Sequence, residues 1–129
     1  MSLDLPPIIA ALNRAQNHRD AEAFADCFAG DGVVEDQPEE VVIEGRDAIK
    51  NWAAEIAKFN LLVEPVTFQS GTKESTLTCR VSGDFPGSPI LFDYRFHLTG
   101  ELIQRLVINL SAGDGDSMFG IPVVTFDGS

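Results

Sequence analysis

Apolar residues in the first part of the chain recur at the three- and four-residue spacing of α-helices. This spacing predicts a first helix over residues 4–17, with Asp4 as the N-cap and two prolines in the first turn. Asp20 is predicted to cap a second helix that buries Phe24 and Phe28. The glycines that follow Phe28 are predicted to end this helix.

A short strand, a loop and a third helix are predicted next. Residues 33–36 predict the strand, and residues 37–45, which include a proline and acidic side chains, predict the loop. The third helix is predicted to begin near Gly45. It carries Trp52 and Ile56 on an apolar face at helical spacing.

The apolar period changes to two in the second half of the chain, as expected for β-strands. The alternation predicts four strands, over residues 62–69, 74–82, 90–98 and 101–110. Because short turns connect these strands, they are expected to form an antiparallel meander. The predicted fold class is therefore α+β.

The length of 129 residues fits a single domain over residues 1–129, with its core at about 4–110. The C-terminal tail, residues 111–129, starts with small and acidic residues and continues with an apolar stretch at 118–126. An edge strand, a cover over a cavity and a contact with a second subunit all fit this stretch.

The net charge of −11 argues against nucleic acid and membrane surfaces as partners, because both are anionic. The sequence has no apolar run long enough to cross a bilayer and begins without the features of a signal peptide, so we expect a cytoplasmic protein. Cys27 and Cys79 form no CxxC pair and have no histidine cluster beside them, so no metal site is predicted.

Several segments of the sequence carry a family resemblance. Residues 17–52, NHRDAEAFADCFAGDGVVEDQPEEVVIEGRDAIKNW, contain a strand that ends in VEDQP at 34–38 and a helix that opens with GRDAI at 45–49. They are followed by GDFPGSP at 83–89 and FDYRF at 92–96. In these features the chain resembles the SnoaL-like and ketosteroid isomerase-like branches of the nuclear transport factor two-like superfamily, over nearly its whole length before the tail.

The resemblance implies a cone-shaped, curved antiparallel sheet packed against three N-terminal helices, a cystatin-like roll with a cavity inside. It also implies a homodimer through the outer face of the sheet. Strand alternation and the helical stripes together predict the residues that line the cavity. These are Leu12, Phe24, Phe28, Trp52, Ile56, Phe92, Phe96 and Ile108.

Asp36, at the end of the first strand, is the main candidate for chemistry. It matches the position of the general base in the isomerase branch, and burial would raise its pKa towards the range that suits proton transfer. The isomerases also use two hydrogen-bond donors, but the matching positions here are Leu12 and Phe92, which have none. Tyr94, predicted to face inward, is the candidate substitute donor.

The sequence leaves alternatives open. The alternative interpretation of Asp36 is a strand-end carboxylate bound to nearby backbone or to Arg46. The alternative interpretation of Tyr94 is a packed core aromatic. The resemblance implies a protein that binds a small apolar molecule, with isomerase, cyclase or dehydratase activity on a carbonyl compound. A non-catalytic binding module and a homodimeric scaffold with a filled cavity are the alternatives. No cofactor is expected, because acid–base chemistry of this kind needs none.

Overall fold

The computed structural model describes residues 4–111, and its first half contains three α-helices: α1 Pro7–Asn17, α2 Ala21–Asp26 and α3 Arg46–Ile56. All three helices were predicted from the sequence. The cap assigned to Asp4 was wrong, because α1 starts after Pro6 without a side-chain cap and proline at N1 needs none. The cap at Asp20 is confirmed, since its carboxylate accepts a hydrogen bond from the Ala23 N–H at 3.1 Å.

The six strands form one sheet in the order β2-β1-β6-β5-β4-β3. Their bounds are β1 Phe28–Asp36, β2 Val41–Glu44, β3 Leu62–Ser70, β4 Ser75–Ser82, β5 Ile90–Thr99 and β6 Leu102–Leu110. The predicted meander is confirmed, because β3 to β6 pair antiparallel in sequence order. The α+β class is confirmed as well, although the sheet is mixed, since β1 pairs parallel with β6.

Strand β1 is longer than predicted, and helix α2 is correspondingly shorter. Phe28 was assigned to the helix but is the first residue of β1, where it pairs with Ile103. The preceding carbonyl, that of Cys27, accepts a hydrogen bond from the Ile103 N–H at 2.9 Å. Pairing with β6 therefore ends the helix before the glycines, and Gly30 and Gly32 lie within the irregular part of β1.

Strand β2 was predicted as part of a loop. It pairs antiparallel with β1 from Val33–Glu44 to Asp36–Val41, and a short 3₁₀ turn, Gln37–Glu39, joins the two strands. The proline and acidic residues that indicated a loop form this turn and the ends of the hairpin. Val41, Val42 and Ile43 are consecutive apolar residues, so β2 lacks the alternation that indicates a half-buried strand.

The helices cover one face of the sheet, and the core lies between them. Its largest fully buried side chains come from all three helices and from five of the strands. They include Ile9, Leu12, Phe24, Phe28, Ile49, Leu77, Phe96, Ile103 and Leu106. Burial of each such side chain contributes about 1.5 to 3 kcal/mol to stability.

Two polar contacts fix the positions of the helices on the sheet. The Asn17 side chain of α1 accepts from the Val63 N–H at 2.7 Å and donates to the Val63 carbonyl at 3.0 Å, so it satisfies both backbone groups of a residue on edge strand β3. Arg46, the first residue of α3, donates to the Phe28 carbonyl through Nη2 at 2.7 Å and Nε at 3.2 Å. These contacts set the width of the space between helices and sheet.

Candidate functional site

A cavity of about 410 Å³ lies between the concave face of the sheet and helices α1 and α3. This volume falls in the range that small-molecule sites occupy in proteins. Most of its lining is apolar: Pro38, Val41, Trp52, Ile56, Phe59, Leu61, Val81, Phe85, Phe92 and Ile108. Its polar lining residues are Gln16, Asp36, Glu39 and Tyr94.

Asp36 is the last residue of β1, half-buried at the cavity wall. Burial raises the pKa of its carboxyl group, and repulsion from Glu39 adds to the rise. The backbone N–H of Glu39 favours the charged form and offsets part of this effect. Arg46 does not neutralise Asp36, because its guanidinium is bound to the Phe28 carbonyl.

Tyr94 is a buried residue of β5, and its ring borders the cavity. Its hydroxyl donates a hydrogen bond to Oε1 of Gln16 on α1 at 3.3 Å. Burial raises the pKa of Tyr94, to which Cys79 and Asp36 also contribute, so the hydroxyl keeps its proton at neutral pH.

Asp36 and Tyr94 lie in one row across the sheet. Asp36 is paired with Ile108 of β6, and Ile108 is paired with Tyr94 of β5. Two strand spacings separate their backbones, a distance of about 10 Å. The Asp36 carboxylate and the Tyr94 hydroxyl therefore lie on opposite sides of Ile108, whose apolar side chain lines the cavity between them.

The predicted pocket residues divide into two groups of four. The structure places Trp52, Ile56, Phe92 and Ile108 at the cavity, together with Asp36 and Tyr94. It corrects the placement of Leu12, Phe24, Phe28 and Phe96, which fill the closed core and are at most 2% exposed. Alternation identifies the face on which a side chain lies, but the core and the cavity share that face. Packing decides at which residues the helices touch the sheet, and so which side chains lie in the core and which at the cavity.

The sequence did not indicate Gln16 as a site residue, because amide side chains are mostly exposed. It is the only buried polar residue within residues 4–111 and is 9% exposed. One signal was present in the sequence. The helical stripe that includes Ile8 and Leu12 continues one turn later at Gln16, so a polar side chain occupies an apolar position.

Other kinds of site have no support in the part of the chain that the structure describes. Residues 4–111 contain no group of three side chains that could hold a metal ion. Burial raises the pKa of Cys79 to about 12, which keeps its thiol protonated and unreactive. No helix among the described residues is long and apolar enough to cross a membrane.

The outer face of the sheet is polar and carries several paired charges. Arg105 forms an ion pair with Glu35, and the Thr78 hydroxyl donates to Asp93 at 2.7 Å. Arg95 lies beside Asp93 in a broad groove of about 520 Å³. Its Nε is buried and makes no hydrogen bond to any residue in the range 4–111.

The curved six-stranded sheet, the three helices and the cavity between them define the class of NTF2-like, cystatin-like α+β proteins. The model of the SnoaL-like domain matches residues 7–80, more than half of the chain. The protein belongs to this SnoaL-like family. No match was found among curated proteins.

Solved structures support the same assignment. A protein of Sinorhizobium meliloti, provisionally assigned as a polyketide cyclase, is 33% identical and has a TM-score of 0.78, over 84% of this chain and 99% of that one. A protein of Catenulispora acidiphila with a ketosteroid isomerase-like fold, solved with trimethylamine, is 22% identical with a TM-score of 0.76, over 84% and 88% of the two chains.

A third similar structure is SalBIII, an epoxide hydrolase/cyclase-like enzyme with a role in pyran ring formation in the polyether salinomycin. It is 21% identical and has a TM-score of 0.71, over 81% of this chain and 88% of that one. At this identity the second and third similarities establish the fold alone.

Proposed function

We propose that the cavity binds a small, apolar carbonyl compound and that Asp36 is the general base that isomerises, cyclises or dehydrates it. The observation that carries this proposal is the Asp36 carboxyl group, which borders an apolar cavity, has a raised pKa and has no cationic partner among residues 4–111. A positioned general base typically contributes about a hundred- to ten-thousand-fold to the rate, and it is most effective when its pKa lies near the working pH.

The reaction begins with proton transfer from carbon. Asp36 takes a proton from the carbon next to the carbonyl group, the electron pair of the broken C–H bond forms a C=C bond, and the π pair of the C=O bond moves to the oxygen. The enolate then reacts in one of three ways. Return of the proton to another carbon gives isomerisation, attack on an electrophilic carbon of the same molecule gives cyclisation, and loss of a neighbouring hydroxyl as water gives dehydration. None of these steps needs a cofactor.

The charge of the cavity argues against an anionic ligand. Asp36 and Glu39 are its ionisable carboxyl groups, and no lysine or arginine lies among its lining residues. An anion would therefore meet repulsion and no compensating cation, which disfavours phosphorylated or carboxylated ligands. The relation to a provisionally assigned polyketide cyclase of Sinorhizobium meliloti supports a ligand of carbonyl chemistry.

A non-catalytic binding module is the second candidate. It is favoured by the large apolar share of the lining and by the lack of a donor at Leu12 and Phe92. A scaffold with a filled cavity has less support, because the described residues leave about 410 Å³ unfilled.

Deuterium exchange in D2O separates the enzyme from the binding module without a known substrate. Acetophenone and a panel of cyclic ketones are incubated with the protein, and NMR follows deuterium uptake at the carbon next to the carbonyl. The proposal requires wild-type protein to accelerate uptake and Asp36→Asn to abolish this acceleration while ligand binding persists. Asp47→Asn, the same change at an exposed position of α3, is the matched control. Binding without any acceleration would favour the binding module.

We also propose that two copies of the chain associate through the outer faces of their sheets. The outer face supports this arrangement through the groove that Asp93, Arg95 and Asn109 line, where side chains of both charges and an amide could pair with those of a second copy. The state of the protein in solution tests the proposal.

A further inference from the structure

Gln16 holds a fixed orientation at the cavity wall. Its Oε1 accepts the hydroxyl hydrogen of Tyr94 at 3.3 Å. The primary amide is planar and carries its NH2 group on the other side of the same carbon, so this contact determines where Nε2 points. Gln16 lines the cavity, and Nε2 makes no hydrogen bond to any residue in the range 4–111.

The NH2 group of Gln16 is open to the cavity, where water can reach it in the free protein. A ligand that fills the cavity displaces this water, and a ligand without an acceptor would leave the donor unpaired, which is unfavourable. Oε1 is already occupied by Tyr94, whereas the NH2 group offers two donors and no acceptor. The partner that fits is therefore an uncharged acceptor oxygen on a ligand.

We propose that the Gln16 NH2 group donates a hydrogen bond to the carbonyl oxygen of the ligand, with Tyr94 as the residue that positions it. This inference rests on the proposed function and names the donor that the family comparison does not find at Leu12 or Phe92. It also orients the ligand, with its oxygen towards Gln16 and the carbon that loses a proton towards Asp36.

Tyr94 also strengthens the donor. The hydrogen bond that its hydroxyl gives to Oε1 polarises the amide, so the NH2 group becomes more positive and binds an oxygen better. Tyr94 is buried and keeps its proton, so this arrangement persists at neutral pH. The hydrogen bond from the Gln16 NH2 group to the ligand also gives specificity, since ketones, esters and lactones accept a hydrogen bond, whereas a hydrocarbon of the same shape does not.

The test compares acetophenone with ethylbenzene, a hydrocarbon of similar shape, by NMR titration. Gln16→Met keeps the approximate volume of the side chain and removes both donors. We expect this variant to weaken acetophenone binding by about 2- to 12-fold and to leave ethylbenzene binding within about twofold. Tyr94→Phe is expected to reduce the ratio of the two affinities by a smaller factor. Gln69→Met, at an exposed position of β3, is the matched control.

The outcomes separate this inference from the function on which it rests. If Gln16→Met weakens both ligands equally, Gln16 only shapes the cavity, so the inference is wrong and the proposed function stands. If wild-type protein binds neither ligand, both the inference and the proposed function are wrong.

A second measurement uses wild-type protein alone, with the Gln16 side-chain resonances assigned by triple-resonance NMR. The side-chain NH2 resonances of Gln16 in wild-type protein should move downfield on addition of acetophenone and stay in place with ethylbenzene. Unchanged resonances with bound acetophenone would overturn the inference even if Gln16→Met failed to fold.

Discussion

Asp36 and Tyr94 flank Ile108 in a single row of the sheet, although 58 positions of sequence separate them. The row brings together the end of β1 and the middle of β5 because β6 lies between these two strands. Parallel pairing of β1 with β6 therefore creates the candidate site, and the contact of Tyr94 with Gln16 connects it to helix α1.

The raised pKa of Asp36 predicts a specific dependence of stability on pH. Because the folded protein holds this proton more tightly than the unfolded chain does, ionisation of Asp36 costs stability as the pH rises from 3.8 through the folded-state pKa. Asp36→Asn does not ionise. The free energy of unfolding of the variant minus that of the wild type should therefore increase over this pH range. The difference should remain at its increased value at neutral pH.

Urea unfolding of both proteins between pH 3.5 and 8 measures this difference. Asp47→Asn, an exposed position, serves as the control. A difference between wild type and Asp36→Asn that stays constant over the whole pH range would show that the carboxyl group has an ordinary pKa in the folded protein.

Core and cavity phenylalanines are predicted to differ in their contribution to stability. Phe28 is completely buried, so Phe28→Ala should lower the free energy of unfolding by about 3 to 5 kcal/mol. Phe92 borders the cavity and is partly exposed, so Phe92→Ala should cost about 1 to 2 kcal/mol. Chemical denaturation measures both. Equal losses would mean that Phe92 packs as tightly as the core.

The contact between Asn17 and Val63 predicts a large effect from a small polar change. Asn17→Ala removes both hydrogen bonds and leaves the Val63 N–H on edge strand β3 without this partner, while the Val63 carbonyl keeps its hydrogen bond from Asn13 at 3.0 Å. We expect a loss of about 1 to 3 kcal/mol, which thermal and urea unfolding can measure. Asn51→Ala, at an exposed position of α3, is the control and should change stability little.

Association through the outer sheet face predicts that its charges control the oligomeric state. Light scattering coupled to size exclusion should give the mass of a dimer for the wild type and of a monomer for Arg95→Glu, which places like charges next to Asp93. Lys50→Glu, an equal change of charge on exposed α3, should remain a dimer. A monomeric wild type would exclude this interface.

Much of the fold could be predicted because its elements carry long local patterns. The stripes of α1 and α3 and the alternation of β3 to β6 each extend over eight or more residues. These patterns also identified the inward face of β5, on which Tyr94 lies. The boundary at Phe28 was misjudged because pairing with the distant strand β6 decides it, and the short strand β2 was missed because only its pairing with β1 reveals it.

By itself, the sequence determined the α+β class, the order of the helices and the meander, and it singled out Asp36 as a candidate, because local spacing and residue type carry that information. Only the tertiary structure decided which apolar residues fill the core and which border the cavity. It also placed Gln16 beside Tyr94, 78 positions away. Such choices depend on how helices and sheet pack in three dimensions, and side chains on one face of an element look alike until that packing is known.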